Sequence, residues 1–233
     1  MKDFFKKYKD YLLKKLALPT LIIVWAASYY IEVMGYSVTN HRMIQPIPGY
    51  GPITVTIADI SNAAVFVRAA DVGMTGVELM ELNENKEVME HLERIRCIAA
   101  EKLGFVEHWE DARTKCTASP KIGILSAPQE YTGIGGKKIN AQDMDICCRM
   151  ISLGVMHKAY PMTYAVGTGA AAMLEGTIAS EMAHLTHGSD QVVIGHASGC
   201  TVVKVCMNGD EVEKAGIIRT ARRIMDGHVY IRR

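Results

Sequence analysis

Short stretches of this sequence carry side chains suited to holding an anion or moving a proton. In Gly195-His196-Ala197-Ser198-Gly199-Cys200, two glycines flank an imidazole and a hydroxyl. Glycine lets a backbone approach a ligand closely, and Ser198 with the Gly199 N–H can donate to an anionic oxygen. Standing alone the stretch also reads as a tight turn, and it lacks the GxSxG spacing of a nucleophile elbow. Cys200 and His157 are candidate proton-transfer groups by residue type only, and an inert buried thiol competes for Cys200. In Pro161 to Ala170 (PMTYAVGTGA), hydroxyls and glycines fall where an Ala-rich helix should begin near Thr163. The free N–H groups and dipole of such a helix start suit a carboxylate or phosphate. The competing reading is a small-residue helix packed close against a sheet. The spacing matches neither GxxxxGK[ST] nor GxGxxG, so nucleotide fingerprints are excluded. His184 and His187 lack a third ligand, and no metal is expected. Arg219, Arg222 and Arg223 form a basic run whose plain reading is a solvated strand face.

These residues need elements to hold them, and the pattern is an α/β alternation. Ile53 to Ile57 alternates apolar and polar residues like a half-buried strand, and Ala64 to Val67 reads as a more buried one. From Asn83 to Leu103 the residues Val88, Leu92, Ile95, Ala99 and Leu103 recur at helical spacing. Asn83 or Asn85 is the expected cap and Gly104 the stop. Glu107 to Ser119 reads as loop, Lys121 to Leu125 as a short strand, and Thr132 to Lys138 as a glycine-rich turn or flexible loop. Asp145 to Leu153 is strand-like, Tyr160-Pro161 breaks it, and Thr163 to Leu174 is the expected helix. Gln191 to Ile194, Thr201 to Met207, Gly216 to Ile224 and His228 to Ile231 are further strands. Asn208-Gly209 is a hairpin turn signal.

Composition excludes several functions. The chain has 233 residues, of which 49% are hydrophobic and 22% charged, so it can bury a core. Its 26 Lys plus Arg against 25 Asp plus Glu leave a net charge of +1, which argues against nucleic acid as the partner. The cysteines form no CxxC pair and read as reduced thiols of a cytoplasmic protein.

The amino terminus differs from the rest. Lys2, Lys6, Lys7, Lys9, Lys14 and Lys15 precede an uncharged run from Leu16 to Ile31. A basic flank before an apolar run is the pattern of a signal anchor, but this run falls short of the roughly 20 apolar residues a span needs. A buried helix or strand pair is expected, and membrane insertion is not. Pro46, Pro48 and Gly49 mark a turn or boundary, dividing a leader, 1–45, from a domain, 46–233.

The order of these segments resembles the carboxyl-terminal half of the 2-methylaconitate cis–trans isomerase family, of the diaminopimelate-epimerase-like fold. The matching stretches are Asp59 to Ala69 (DISNAAVFVRA), Asp71 to Leu79 (DVGMTGVEL), His157 to Pro161 (HKAYP), Gly195 to Gly199 (GHASG) and Arg219 to Tyr230 (RTARRIMDGHVY). The resemblance implies a curved, mostly antiparallel sheet or open barrel around a central helix. It also implies a cytoplasmic, cofactor-independent isomerase of propionate or methylcitrate metabolism. Such an enzyme moves a proton on small unsaturated di- or tricarboxylates. It places Asn62 against substrate carboxylate, and with Thr163, Ser198, Gly199 and Arg219 this makes one expected binding pocket. The family has Asn-Pro where this chain has Asn62-Ala63, which removes a fixed φ from that segment.

Members of the family have two similar halves with the site between them, and the catalytic lysine and cysteine expected from the first half have no counterpart here. Shifting a double bond beside a carboxylate needs a base, a proton return and donors for the developing charge. This half supplies donors, and His157 and Cys200 are its only candidate bases. A homodimer or a complementing first-half chain is therefore expected. The alternative is a non-catalytic, carboxylate-binding remnant.

Overall fold

Residues 63–67 and 122–125 are apolar without a polar face, as strands buried on both sides must be. The computed structural model describes residues 37–188 and 190–218, with side chains from Gln45 onward. The leader before residue 37, Arg219 with its RTARRIMDGHVY stretch, and the strand expected at 228–231 lie outside the described residues. The described fold belongs to one compact unit, Ile31–Ile217.

Strands β1 (Ser37–Ile47), β2 (Gly51–Ile60) and β3 (Asn62–Arg68) form an antiparallel meander. The sheet continues through β4 (Lys121–Ser126), β7 (Ile146–Ser152), β9 (Gln191–His196), β10 (Gly199–Asn208) and β11 (Glu211–Gly216). A short β8 (Val155–Met156) pairs with β7, completing a nine-stranded open sheet. β5 (Tyr131–Thr132) and β6 (Lys138–Ile139) form a separate small hairpin.

Most neighbours are antiparallel, but β3 with β4 and β7 with β9 run parallel. Parallel neighbours need a crossover, usually helical. The first crossover carries α1 (Lys86–Lys102) and a one-turn α2 (Ala112–Lys115). The second carries α3 (Met162–Met173) and a short α4 (Ile178–Met182). Strand alternation sends Val65, Val67, Ile122 and Ile124 to a core with Leu92, Ile95 and Ala99 of α1. It sends Ala64, Phe66, Leu125, Cys148 and Met150 to a core with Ala165, Val166 and Ala170 of α3. Each fully buried Leu or Ile contributes about 2 kcal/mol to such cores.

α3 is the helix the sheet is built around, touching β2, β3, β9, β10 and β11. A Cβ on Gly167 would stand 3.0 Å from the Ile60 carbonyl, and one on Gly169 would stand 2.7 Å from Val203 Cγ1. The Gly-Thr-Gly run is thus buried in mid-helix, where small residues permit close packing, and not at the helix start. Among the described residues no helix is long and apolar enough to cross a membrane.

Several sequence expectations need correction. β1 runs through Pro46, which pairs with Pro52, and the turn falls at 48–50, where the Tyr50 N–H donates to the Ile47 carbonyl. The loop expected over Glu107 to Ser119 contains a 3-10 turn, Trp109–Asp111, and α2. Of the strand expected over Gly216 to Ile224 only residues 216–218 are described, and a strand that was not expected covers Glu211–Gly216. It is the second arm of the Asn208-Gly209 hairpin, and its charged residues suit an edge. Of the two readings of Thr132 to Lys138 the turn holds, since the segment forms the tip of the β5–β6 hairpin.

Candidate functional site

α3 begins after Pro161 with no side-chain cap and no acidic residue in its first turn. Its first N–H groups, on Met162, Thr163 and Tyr164, have no partner within the helix. Thr163 is half-buried on this turn. Tyr160 and Tyr164, at either side of the start, reach different neighbours.

Tyr160 reaches the β9–β10 turn. Its ring lies 6.5 Å from that of His196, and its hydroxyl is 2.9 Å from Thr168 Oγ1. His196 is 6% exposed and ends β9 on the α3 side of the sheet. Its Nδ1 accepts the Ser198 N–H at 3.3 Å and stands 3.3 Å from Ser198 Oγ. A backbone N–H can only donate, so Nδ1 is bare and Nε2–H donates to Thr201 Oγ1 at 3.0 Å. Burial first, then the charges of Arg149 and His157, hold this imidazole down to about 4, so it is neutral at pH 7. Ser198 itself is exposed, and Gly199 opens β10 with φ 146.

A second hairpin braces that turn from outside. The Tyr131 hydroxyl donates to the His196 carbonyl at 2.7 Å, and the Ile134 N–H donates to the Ala197 carbonyl at 2.7 Å. A Cβ on Gly133 would lie 2.9 Å from the Ala197 oxygen, so a side chain there would push the two hairpins apart.

Beneath lies Arg149, 1% exposed on β7. It donates to the carbonyls of Glu78 at 2.6 Å, Val77 at 3.1 Å and Cys148 at 2.9 Å, and its guanidinium lies 4.6 Å from the Tyr131 ring centroid. It therefore ties the 71–79 segment, the brace and the His196 surroundings together. Sequence reasoning missed Arg149, though a charge inside the apolar run Ile146 to Ser152 was the available signal. Asp145 is a second missed anchor. Fully buried, it accepts from the N–H groups of Thr186 and Val193 and from His187 Nδ1 at 2.8 Å. Desolvation opposes its charge, but these donors win and hold its carboxyl below the usual range. His187 is therefore committed to Asp145.

Tyr164 reaches the other side. Lys121 Nζ lies 5.2 Å from its ring centroid and donates to the Ala118 carbonyl at 3.0 Å. Asn62 opens β3, exposed, after Ser61 with φ 67. Strand alternation puts Asn62 on the face of Ala64 and Phe66, which is the α3 side. Ser198 keeps its hydrogen bonds with His196.

The two candidate bases, His157 and Cys200, sit in different settings. His157 Nδ1 accepts the Ala159 N–H at 3.2 Å, which leaves Nε2 as its one free ring nitrogen. Cys200 is exposed at the start of β10, yet desolvation of the sulfur first, then Asp143 and Cys147, push its thiol up against the pull of Lys137. A cleft of about 350 Å³, lined by Arg68, Ser126, Gln129 and Met182, lies at the opposite end of β3 and β4 from Asn62.

Residues 36–232 match the model of the PrpF protein family. The chain is 38% identical over 183 residues to a 3-methylitaconate isomerase of Eubacterium barkeri, covering 78% of this chain and 48% of that protein. It is 33% identical over 190 residues to a 2-methyl-aconitate isomerase of Shewanella oneidensis, covering 79% and 47%. A crystal structure of methylitaconate-delta-isomerase superposes with a TM-score of 0.78 at 36% identity, over 83% of this chain and 50% of that one. The chain spans about half the length of the relatives it matches.

Proposed function

We propose, from the premise that this chain belongs to the PrpF protein family, that it serves a proton-transfer isomerisation, cis–trans or double-bond shift, of small unsaturated di- or tricarboxylates such as 2-methylaconitate. On this reading the fold is diaminopimelate-epimerase-like, and the chain works in the cytoplasm without a cofactor. The relatives named as isomerases support the reaction class. The observation that carries the site is the uncapped start of α3. A helix start without a carboxylate of its own is free to take one from a substrate.

Asn62, Thr163, Ser198 and Gly199 are the proposed binding residues of one carboxylate site, and Arg219, outside the described residues, is proposed as a further binding residue from the sequence resemblance alone. Ser198 and the α3 N–H groups hold a carboxylate while a proton leaves the neighbouring carbon. The charge that develops on the conjugated carboxylate is then met by donors already in place. His196 acts by orientation: its bare Nδ1 holds the Ser198 turn, and at pH 7 it adds no charge of its own. Each charge-assisted hydrogen bond is worth roughly 1.5–3 kcal/mol, so Ser198→Ala should weaken carboxylate binding about tenfold.

The base is the part this half does least to supply. The upward push on Cys200 favours a second reading, a carboxylate-binding half that needs a partner chain for turnover. A homodimer or a complementing first-half chain fits that reading. Solvent-deuterium incorporation into 2-methylaconitate separates the two. Exchange by the purified chain supports isomerisation. No exchange at high protein concentration overturns it for this chain alone and leaves the binding reading.

A further inference from the structure

Lys121 opens β4 in register with Ala64, and Gly123 and Leu125 follow on its face. Ala64 and Leu125 belong to the core around α3, so Lys121 points to the same side of the sheet as Asn62. Its ammonium spends one donor on the Ala118 carbonyl and rests at cation–π distance from Tyr164. An ammonium has three donors, so two are left to face solvent or a ligand. Lys115, Lys138 and Lys204 each pair with a carboxylate, on Asp111, Glu130 and Asp190. Lys121 has no carboxylate partner among the described residues. It is also half-buried, where an unpaired cation costs more than on the open surface. Burial first, and then the like charge of Arg96, both work against its charge. An arriving anion would relieve both at once.

We propose that Lys121 is the cation that receives a carboxylate of the substrate on the α3 side of the sheet, with Asn62 as its neighbouring donor. The proposal rests on the carboxylate reading above and adds to it a charged residue that sets how many carboxylates the ligand must bear. A monocarboxylate satisfies either Lys121 or the Ser198 turn, whereas a di- or tricarboxylate satisfies both.

Calorimetric titration of the full chain with tricarballylate, a saturated tricarboxylate that cannot isomerise, tests this. Lys121→Met should weaken binding at least tenfold, while Lys121→Arg stays within about threefold. Raising the salt should weaken the wild type more than Lys121→Met, because one charge pair is screened in the first and absent in the second. Wild-type affinity in Lys121→Met, or no saturable binding by the wild type, overturns the proposal. If Lys121→Met does not fold, the lysine side-chain NMR signal of the wild type gives the same answer. A ligand-induced shift at Lys121 supports the proposal, and an unmoved signal overturns it. Deuterium exchange decides the isomerase reading separately. Binding that depends on Lys121 without exchange keeps this inference and removes catalysis. Exchange with unaltered binding in Lys121→Met does the reverse.

Discussion

Two helices cross this sheet, one on each side, and they end differently. α1 starts under Asn85, whose side chain accepts the Val88 N–H, carries Glu87 in its first turn and Lys102 in its last, and stops at Leu103 before Gly104 at φ 73. Its outer face is laced by ion pairs such as Arg94 with Glu90. α3 has no side-chain cap, no acid at its start and no base at its end, and it is buried from Tyr164 to Ala172. A helix that only packs closes its own ends. α3 packs more tightly yet leaves its amino end uncapped, with His196 near Tyr160 and Lys121 near Tyr164 on either side of it. The contrast teaches that packing and end chemistry are separate choices.

The largest test of that contrast is steric. Gly169→Val places a side chain against Val203 with no room to move, so it should cost about 3 kcal/mol in urea denaturation, or prevent folding. A loss below about 1 kcal/mol would show that α3 is not wedged. Next comes acid. His196 is held from an ordinary 6.5 down to about 4, so the folded state resists a proton that the unfolded chain accepts. Stability is therefore complete above the unfolded value and is lost as pH falls from 6.5 toward 4. Between pH 7 and pH 5 the loss from this group should be about 2 kcal/mol. His196→Gln should flatten that slope, and an unchanged slope would move the origin elsewhere. The smallest effect is on stability but not on binding. Pro161→Asp gives α3 the cap it lacks, worth at most about 1 kcal/mol and offset by the lost rigidity of proline. The new carboxylate occupies the free N–H groups, so tricarballylate binding should fall about tenfold. Unchanged binding would mean that the open end is not used.

The two helices were also unequally legible. Val88, Leu92, Ile95 and Ala99 spell out α1, and Asn85 and Gly104 punctuate it, because an amphipathic helix with closed ends writes its boundaries in side chains. α3 is readable as a helix from its alanines, but its glycines were misplaced to the helix start. Their role depends on Ile60 and Val203, residues far off in the chain that only the sheet brings close. The GHASG turn was found where two strands should meet. Its brace was not, because β5 and β6 have two residues each and the glycines between them read as freedom. Lys121 opens a short strand, and nothing in its neighbours tells which side of the sheet it will face. That follows from register with Ala64, a pairing between segments separated by the whole of α1.

The placement of α3 between β2 and β10 also sets an order of assembly. The core under α1 is drawn mainly from strands up to β7, made before α3, and only Ala197 of the β9–β10 turn joins it later. The α3 side needs Val203 against Gly169, so it closes only after β10 has been synthesised. A nascent chain, emerging at about 5–20 residues per second, holds one nearly complete core and one open apolar face for several seconds. Chaperone contact and premature aggregation should both concentrate in that interval, on the very surface that α3 later covers.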